Sequence, residues 1–215
     1  AGDDKGGMVV MLSALRLVLA GGKYLPADDV PALLEAGVTL VGENRLQDLQ
    51  EKAARAGGRI VFDFIGHLQR RKVASVLGVA RLIHSVDSLA LAHEIAKRAR
   101  APTRVLLEVN ISEESTKHGI LPLEIEAFVE SIDSLSSIVV GGLMALPPAD
   151  PDPEHSRPHF HRLRTLRDEL AIRWSGRHDF RELSIGTSQD FVVAVEEGAT
   201  FVRIGRSLID RSQVS

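Results

Sequence analysis

Eight times between Leu15 and Ile204, a short apolar, β-branched run gives way to a polar turn. After each of the first seven, a stretch with helical spacing of its apolar residues follows. The strand candidates are 15–20, 38–41, 60–65, 82–84, 104–110, 138–143, 183–185 and 199–204. The helical stretches begin with Pro26 to Ala36, which carries Asp28 and Asp29 near its start and Gly37 as its stop. A second runs to about Ala56, a third is rich in Arg70, Arg71 and Lys72, and a fourth spans Ser88 to Arg98. A fifth spans Pro122 to Ile132, and a sixth follows the proline-rich loop Met144 to Pro158 and ends near Ala171. A seventh opens at Asp190 and is stopped by Gly198. Eight regular strand-first repeats in 215 residues predict a single-domain α/β chain folded as a (β/α)8 TIM barrel. A doubly wound open sheet is the alternative, but the repeats are too many and too regular for it.

In such a barrel the loops after the last two strands commonly hold a phosphate. Here they read Ser184-Ile185-Gly186-Thr187-Ser188 and Gly205-Arg206-Ser207. Two glycine turns at the ends of neighbouring parallel strands aim free backbone N–H groups at one place, and Ser and Thr hydroxyls add donors. Taken alone these are also ordinary βα turns.

Composition narrows the classes. With 44% hydrophobic and 26% charged residues the chain has the make-up of a soluble globule rather than of a disordered one. A net charge of −3 gives no electrostatic case for nucleic acid or an anionic membrane. The absence of cysteine excludes disulfides, thiolate metal sites and a Cys nucleophile, and it fits a reducing compartment, so a cytoplasmic location is expected. The apolar stretch Met8 to Ala20 is too short to span a bilayer, is interrupted by Arg16, and follows Asp3 and Asp4 rather than positive charge. It reads as a lead-in, poorly ordered over residues 1–12, running into the first strand. No linker divides the chain, so residues 1–215 are expected to form one domain, as a monomer.

Several residues at strand ends carry chemistry. Lys23 follows strand one behind two glycines. A lysine leaving a buried strand is partly desolvated, which favours the neutral amine that forms a Schiff base, although a solvated loop lysine is the plainer reading. Asn44 ends strand two, as a cofactor contact or as a helix N-cap. Arg203 lies on strand eight between Val202 and Ile204, where an unpaired charge is costly, so it is expected to meet a carboxylate, a phosphate or a ring nitrogen. His67 and His84 also fall at strand ends and read as structural hydrogen bonders. The histidines at 155, 159 and 161 lack the carboxylate set of a convincing metal site.

Taken together these motifs resemble the pyridoxal-phosphate homeostasis protein family, small relatives of alanine racemase. The resemblance runs from about Leu15 to Ile209 and rests on motifs in fixed order. These are Lys23 with Pro26, Gly42-Glu43-Asn44-Arg45, Phe64-Ile65-Gly66-His67-Leu68-Gln69-Arg70-Arg71-Lys72 and His84-Ser85-Val86-Asp87-Ser88. Val109-Asn110-Ile111 with Lys117 and Gly119, Gly142-Leu143-Met144, Ser184-x-Gly186-x-Ser188-x-Asp190 and Val202-Arg203-Ile204-Gly205 complete them. The resemblance implies a barrel of pyridoxal 5'-phosphate (PLP) fold type III. Lys23 falls where the family forms its Schiff base, and Ser184, Gly186, Thr187, Ser188, Gly205 and Arg206 fall where the phosphate is held. Arg203 falls near the pyridine nitrogen, and Asn44 beside the cofactor. The chain departs from the family's usual pattern at Gly21-Gly22, at Arg206, and at Phe62-Asp63, where an aromatic–histidine pair is common.

The function implied is a protein of intracellular PLP homeostasis with little turnover, its partners being the cofactor and PLP-dependent apo-enzymes. An amino-acid racemase is the alternative. Racemisation needs two bases on opposite faces of the bound substrate, and Tyr24, the only tyrosine, neighbours Lys23 on a strand and so points the other way. A phosphosugar enzyme using the same turns and Lys23 is a third reading.

Overall fold

The computed structural model describes residues 16–20 and 26–205. Eight parallel strands close into a barrel in sequence order. They are β1 (Arg16–Ala20), β2 (Leu40–Glu43), β3 (Val61–Phe64), β4 (Leu82–Val86), β5 (Thr103–Glu108), β6 (Ile138–Met144), β7 (Glu182–Thr187) and β8 (Phe201–Ile204). Seven α-helices lie between them among the described residues. They are α1 (Val30–Glu35), α2 (Leu46–Ala56), α3 (Val73–Leu77), α4 (Leu89–Arg98), α5 (Ile125–Ile132), α6 (Arg157–Arg173) and α7 (Phe191–Glu196). Arg16 to Leu19 of β1 pair with Phe201 to Ile204 of β8, and this closure rules out the open-sheet alternative.

The expected (β/α)8 order is met, with shifts that have local causes. The second strand begins at Leu40 rather than at Val38. Gly37 takes a left-handed φ of 73°, and the Val38 N–H turns back to the Leu33 carbonyl at 2.9 Å, so Val38 closes α1 instead of opening β2. Strands β4 and β7 extend beyond their apolar stretches because polar residues such as Ser85 and Glu182 are buried within them.

Two apolar layers result. The outward faces of the strands, through residues such as Val41, Phe64, Ile83, Leu107, Val140 and Ile185, meet helix residues including Leu49, Val76, Leu91, Ile95, Val129 and Leu163. Each such side chain contributes roughly 1.5–3 kcal/mol on burial. In the same layer Lys52 of α2 donates to Glu43 of β2 at 2.5 Å, with both side chains buried. A smaller cluster of Leu82, Leu106, Met144 and Phe201 forms a separate apolar group. The next polar positions on β3, β4, β7 and β8 are Asp63, His84, Ser184 and Arg203, all buried. A barrel interior is ordinarily filled by branched apolar side chains. This one is partly polar, and that departure organises the site.

Candidate functional site

At the C-terminal mouth of the barrel a cleft of about 550 Å³ is lined by Asn44, Gly66, His67, Glu108 and His118 on one side and by Thr187, Ser188, Arg203 and Gly205 on the other. The loop Leu146–Asp150 borders it. Two turns make the second wall, and both are pinned. Asp190 accepts from the Thr187 N–H at 2.7 Å and from its hydroxyl at 3.0 Å, and its other oxygen accepts from Ser156 at 2.9 Å. The Gly205 N–H donates to the Ser188 hydroxyl at 3.2 Å, which joins the β8 turn directly to the β7 turn. Gly186 permits this: its φ of 85° is left-handed, and a Cβ there would stand 2.5 Å from the Ala194 Cβ, so only glycine lets α7 pack this close to β7.

Arg203 forms the floor. It is 6% exposed, and it donates to the Ser184 carbonyl at 2.8 Å, to the Ser184 hydroxyl at 2.7 Å and to the Ala145 carbonyl at 2.8 Å. All three acceptors are neutral, and among the described residues no carboxylate forms a salt bridge with it. Burial lowers its pKa to about 10, which still leaves it a cation at neutral pH. A buried cation held by neutral acceptors beneath an open cleft is matched to an anion or to a ring acceptor entering that cleft.

Asp63 fixes the protons beneath this floor: its carboxylate can only accept, so neutral His84 keeps its single ring proton for Asp63, and His84 Nδ1 accepts from the Ser184 hydroxyl 3.0 Å away. His84 Nε2 then carries the ring proton and donates to Asp63 at 3.2 Å. Asp63 receives a two-pronged contact from Arg81 at 2.9 and 2.6 Å. The ionisation states agree with this. Complete burial holds His84 below its usual pKa, hence neutral. Burial alone would push Asp63 up, but hydrogen bonds from His84 and Arg81 outweigh it and keep the carboxyl below its usual range.

The structure thus gathers Asn44, Thr187, Ser188, Arg203 and Gly205 around one cleft. Ser184 and Gly186 do not line it: Ser184 is buried in the barrel as a support for Arg203, and Gly186 serves helix packing. Asn44 is not an N-cap, since Arg45 occupies that position of α2. Lys23 and Arg206 lie outside the described residues. His84 is the structural hydrogen bonder expected, whereas His67 is exposed at the cleft. Sequence reasoning missed Asp63 and Glu108. The signal for both was a carboxylate set in an apolar strand, Phe62-Asp63-Phe64 and Leu106-Leu107-Glu108. Burial, reinforced by the Asp87 charge, pushes the Glu108 carboxyl above its usual range.

Fold and cleft define a (β/α)8 barrel with its cleft at the C-terminal mouth, where such barrels hold ligands. Residues 22–210 match the family model described as "Alanine racemase, N-terminal domain". A curated relative from Aquifex aeolicus, named pyridoxal phosphate homeostasis protein, is 40% identical over 89% of this chain and 85% of its own length. A mouse protein of the same name is 36% identical over 92% of this chain and 77% of its own. The solved structure of PipY from Synechococcus elongatus with PLP bound matches with a TM-score of 0.82 and 26% identity, covering 94% of this chain and 98% of that one. Alanine racemase of Clostridium difficile shares the fold, at a TM-score of 0.68 and 13% identity, over 94% of this chain and 56% of that one. The chain belongs to the pyridoxal phosphate homeostasis protein family.

Proposed function

We propose that this protein binds pyridoxal 5'-phosphate in the mouth cleft, with little turnover, and serves intracellular PLP homeostasis. The observation that carries the reading is Arg203, a buried cation with only neutral acceptors at the floor of a cleft whose wall is the Thr187–Ser188–Gly205 turn pair. In this reading the phosphate enters between the Thr187–Ser188 and Gly205 turns, together with Arg206, and takes over donors that now turn to Asp190 and to the Ser188 hydroxyl. Asn44 holds the opposite edge, and Ser184 and Gly186 support the wall from behind. Strand β1 ends at Ala20, the third residue before Lys23, which is the amine that would take the cofactor's aldehyde as a Schiff base. Bound there, the cofactor supplies an electrophilic ring system able to draw electrons from an attached amine.

Arg203 tempers that ability. A guanidinium does not give up its proton, so it hydrogen-bonds a ring nitrogen without protonating it and leaves the ring a weak electron sink. Such a site suits holding the cofactor and releasing it to PLP-dependent apo-enzymes rather than turning over an amino acid. The lack of cysteine and the modest net charge agree with a cytoplasmic location and with a protein that contacts neither nucleic acid nor membrane. No helix of the described residues is long and apolar enough to cross a membrane.

Titration of the protein with PLP, with pyridoxal and with inorganic phosphate tests the reading. PLP should bind most tightly, and Arg203→Met should weaken it roughly ten- to a hundredfold, the equivalent of about 1.5–3 kcal/mol for a charged hydrogen bond. Equal binding of pyridoxal and PLP, or an Arg203→Met variant of unchanged affinity, contradicts it. An assay for amino-acid racemisation on the same samples separates a carrier from an enzyme.

A further inference from the structure

The wall of the cleft across from the phosphate turns carries side chains that the cofactor reading does not use. His67 follows β3, Asp87 follows β4, and His118 lies in the loop after β5, so three consecutive strands deliver them to one corner. His67 Nδ1 is 3.2 Å from Asp87 Oδ2. The rings of His67 and His118 stack with centroids 4.5 Å apart and planes 22° from parallel. One ligand atom from each of the three residues lies within 4.8 Å of the others.

These distances are close to those of a coordination sphere. Zinc–nitrogen and zinc–oxygen bonds are about 2.0–2.2 Å, so tetrahedral ligand atoms stand about 3.3 Å from one another. The His67–Asp87 pair already has that spacing. His118 and His67 are exposed and have room to swing the remaining distance about χ1 and χ2, while Asp87, with its side chain 11% exposed, is the fixed member. Two imidazoles and one carboxylate are a donor set for Zn²⁺, Co²⁺ or Ni²⁺, and a poor one for Mg²⁺ or Ca²⁺, which take oxygen ligands. Glu108 lines the same cleft, so the corner also carries a second carboxyl group.

We propose that His67, Asp87 and His118 form a divalent transition-metal site at the rim of the mouth cleft. Three protein ligands leave a coordination position for water or for a group held in the cleft. The site is distinct from the histidines at 155, 159 and 161, and it does not depend on the cofactor reading.

The test uses the full-length, untagged protein, stripped of metal by a chelator and titrated with Co²⁺ and Zn²⁺ by calorimetry and by Co²⁺ visible absorption. The expected result is saturation at one ion per chain, uncontested by excess Mg²⁺. His67→Ala, His118→Ala and Asp87→Asn should each weaken binding by at least about tenfold. His155→Ala, which alters the exposed contact of His155 with Asp150, should leave it unchanged. Circular dichroism and thermal unfolding confirm that each variant is folded, and a double His67→Ala, His118→Ala variant guards against partial loss in the single ones. Absence of saturable binding overturns the proposal, as does binding that survives in the double variant or disappears in His155→Ala. Repeating the titrations without and with PLP keeps the two readings separate, because cofactor binding can fail while metal binding stands.

Discussion

Asp63 on β3 and Arg203 on β8 are joined by an unbroken chain of hydrogen bonds through His84 and Ser184, and the chain has one proton arrangement. Arg203 donates to the Ser184 hydroxyl, the hydroxyl donates to His84, and His84 donates to Asp63. A buried group that depends on every link is positioned by all of them. One of the three hydrogen bonds that hold Arg203 at the cleft floor is therefore tied to a carboxylate it does not touch, while the other two go to the Ser184 and Ala145 backbone carbonyls.

Removing that carboxylate should be felt at both ends. Asp63→Ala leaves the buried His84 Nε2–H without an acceptor, which costs about 1–3 kcal/mol. The Arg81 end adds little, because that side chain is 41% exposed and water can replace the partner. Asp63→Asn keeps an acceptor and should cost less. Urea unfolding measures the stability of both variants, and PLP titration should show the Asp63→Ala variant binding several-fold more weakly through a loosened Arg203.

The same chain makes stability fall in acid. His84 is held neutral in the fold, below its unfolded value of about 6.5, so as pH drops through that value the unfolded state takes up the proton first. Its contribution is complete above about pH 6.5 and is lost as pH falls toward the folded value, by at most about 1.36 kcal/mol per pH unit. Asp63, held below its unfolded value of about 3.9, gives a second loss beginning near pH 4. His159 and His178 are likewise lowered by burial and add to the first loss. The difference in unfolding free energy between wild type and His84→Gln, measured from pH 7 to pH 5, isolates the His84 share and should shrink as the pH falls.

Gly66 is required by close approach. A Cβ there would stand 2.4 Å from the Asn44 carbonyl oxygen and 2.6 Å from its Cα, both backbone atoms. Gly66→Ala should push the two loops apart at a cost of about 1–3 kcal/mol and displace Asn44 from the cleft rim. Thermal unfolding and PLP affinity should both drop, whereas Gly57→Ala, in a left-handed turn with open space around it, should affect stability alone.

Much of this architecture could be read from residue order because parallel barrels write each buried strand as an apolar run and each helix as an amphipathic one. What escaped was polar. Glu182 and Ser85 are buried within strands, yet their composition reads as loop, so β7 and β4 came out too short. Ser184 looked like a phosphate donor because it precedes the turn. Strand alternation puts it on the same face as Glu182, inside the barrel, where it serves Arg203. Asp63 registered only as a departure from the family's pattern, since its partners Arg81 and His84 are 18 and 21 residues away in sequence. The pairing of His67 with Asp87 and His118 likewise depends on three separate loops meeting at the mouth.

A PLP site built on Lys23 stands or falls with the absorption spectrum of the protein with PLP, for wild type and Lys23→Ala. A visible Schiff-base band is expected in wild type and absent from the variant, with borohydride fixing the label on the peptide that contains Lys23. A wild-type spectrum identical to that of free PLP, with no lysine labelled after reduction, would contradict it.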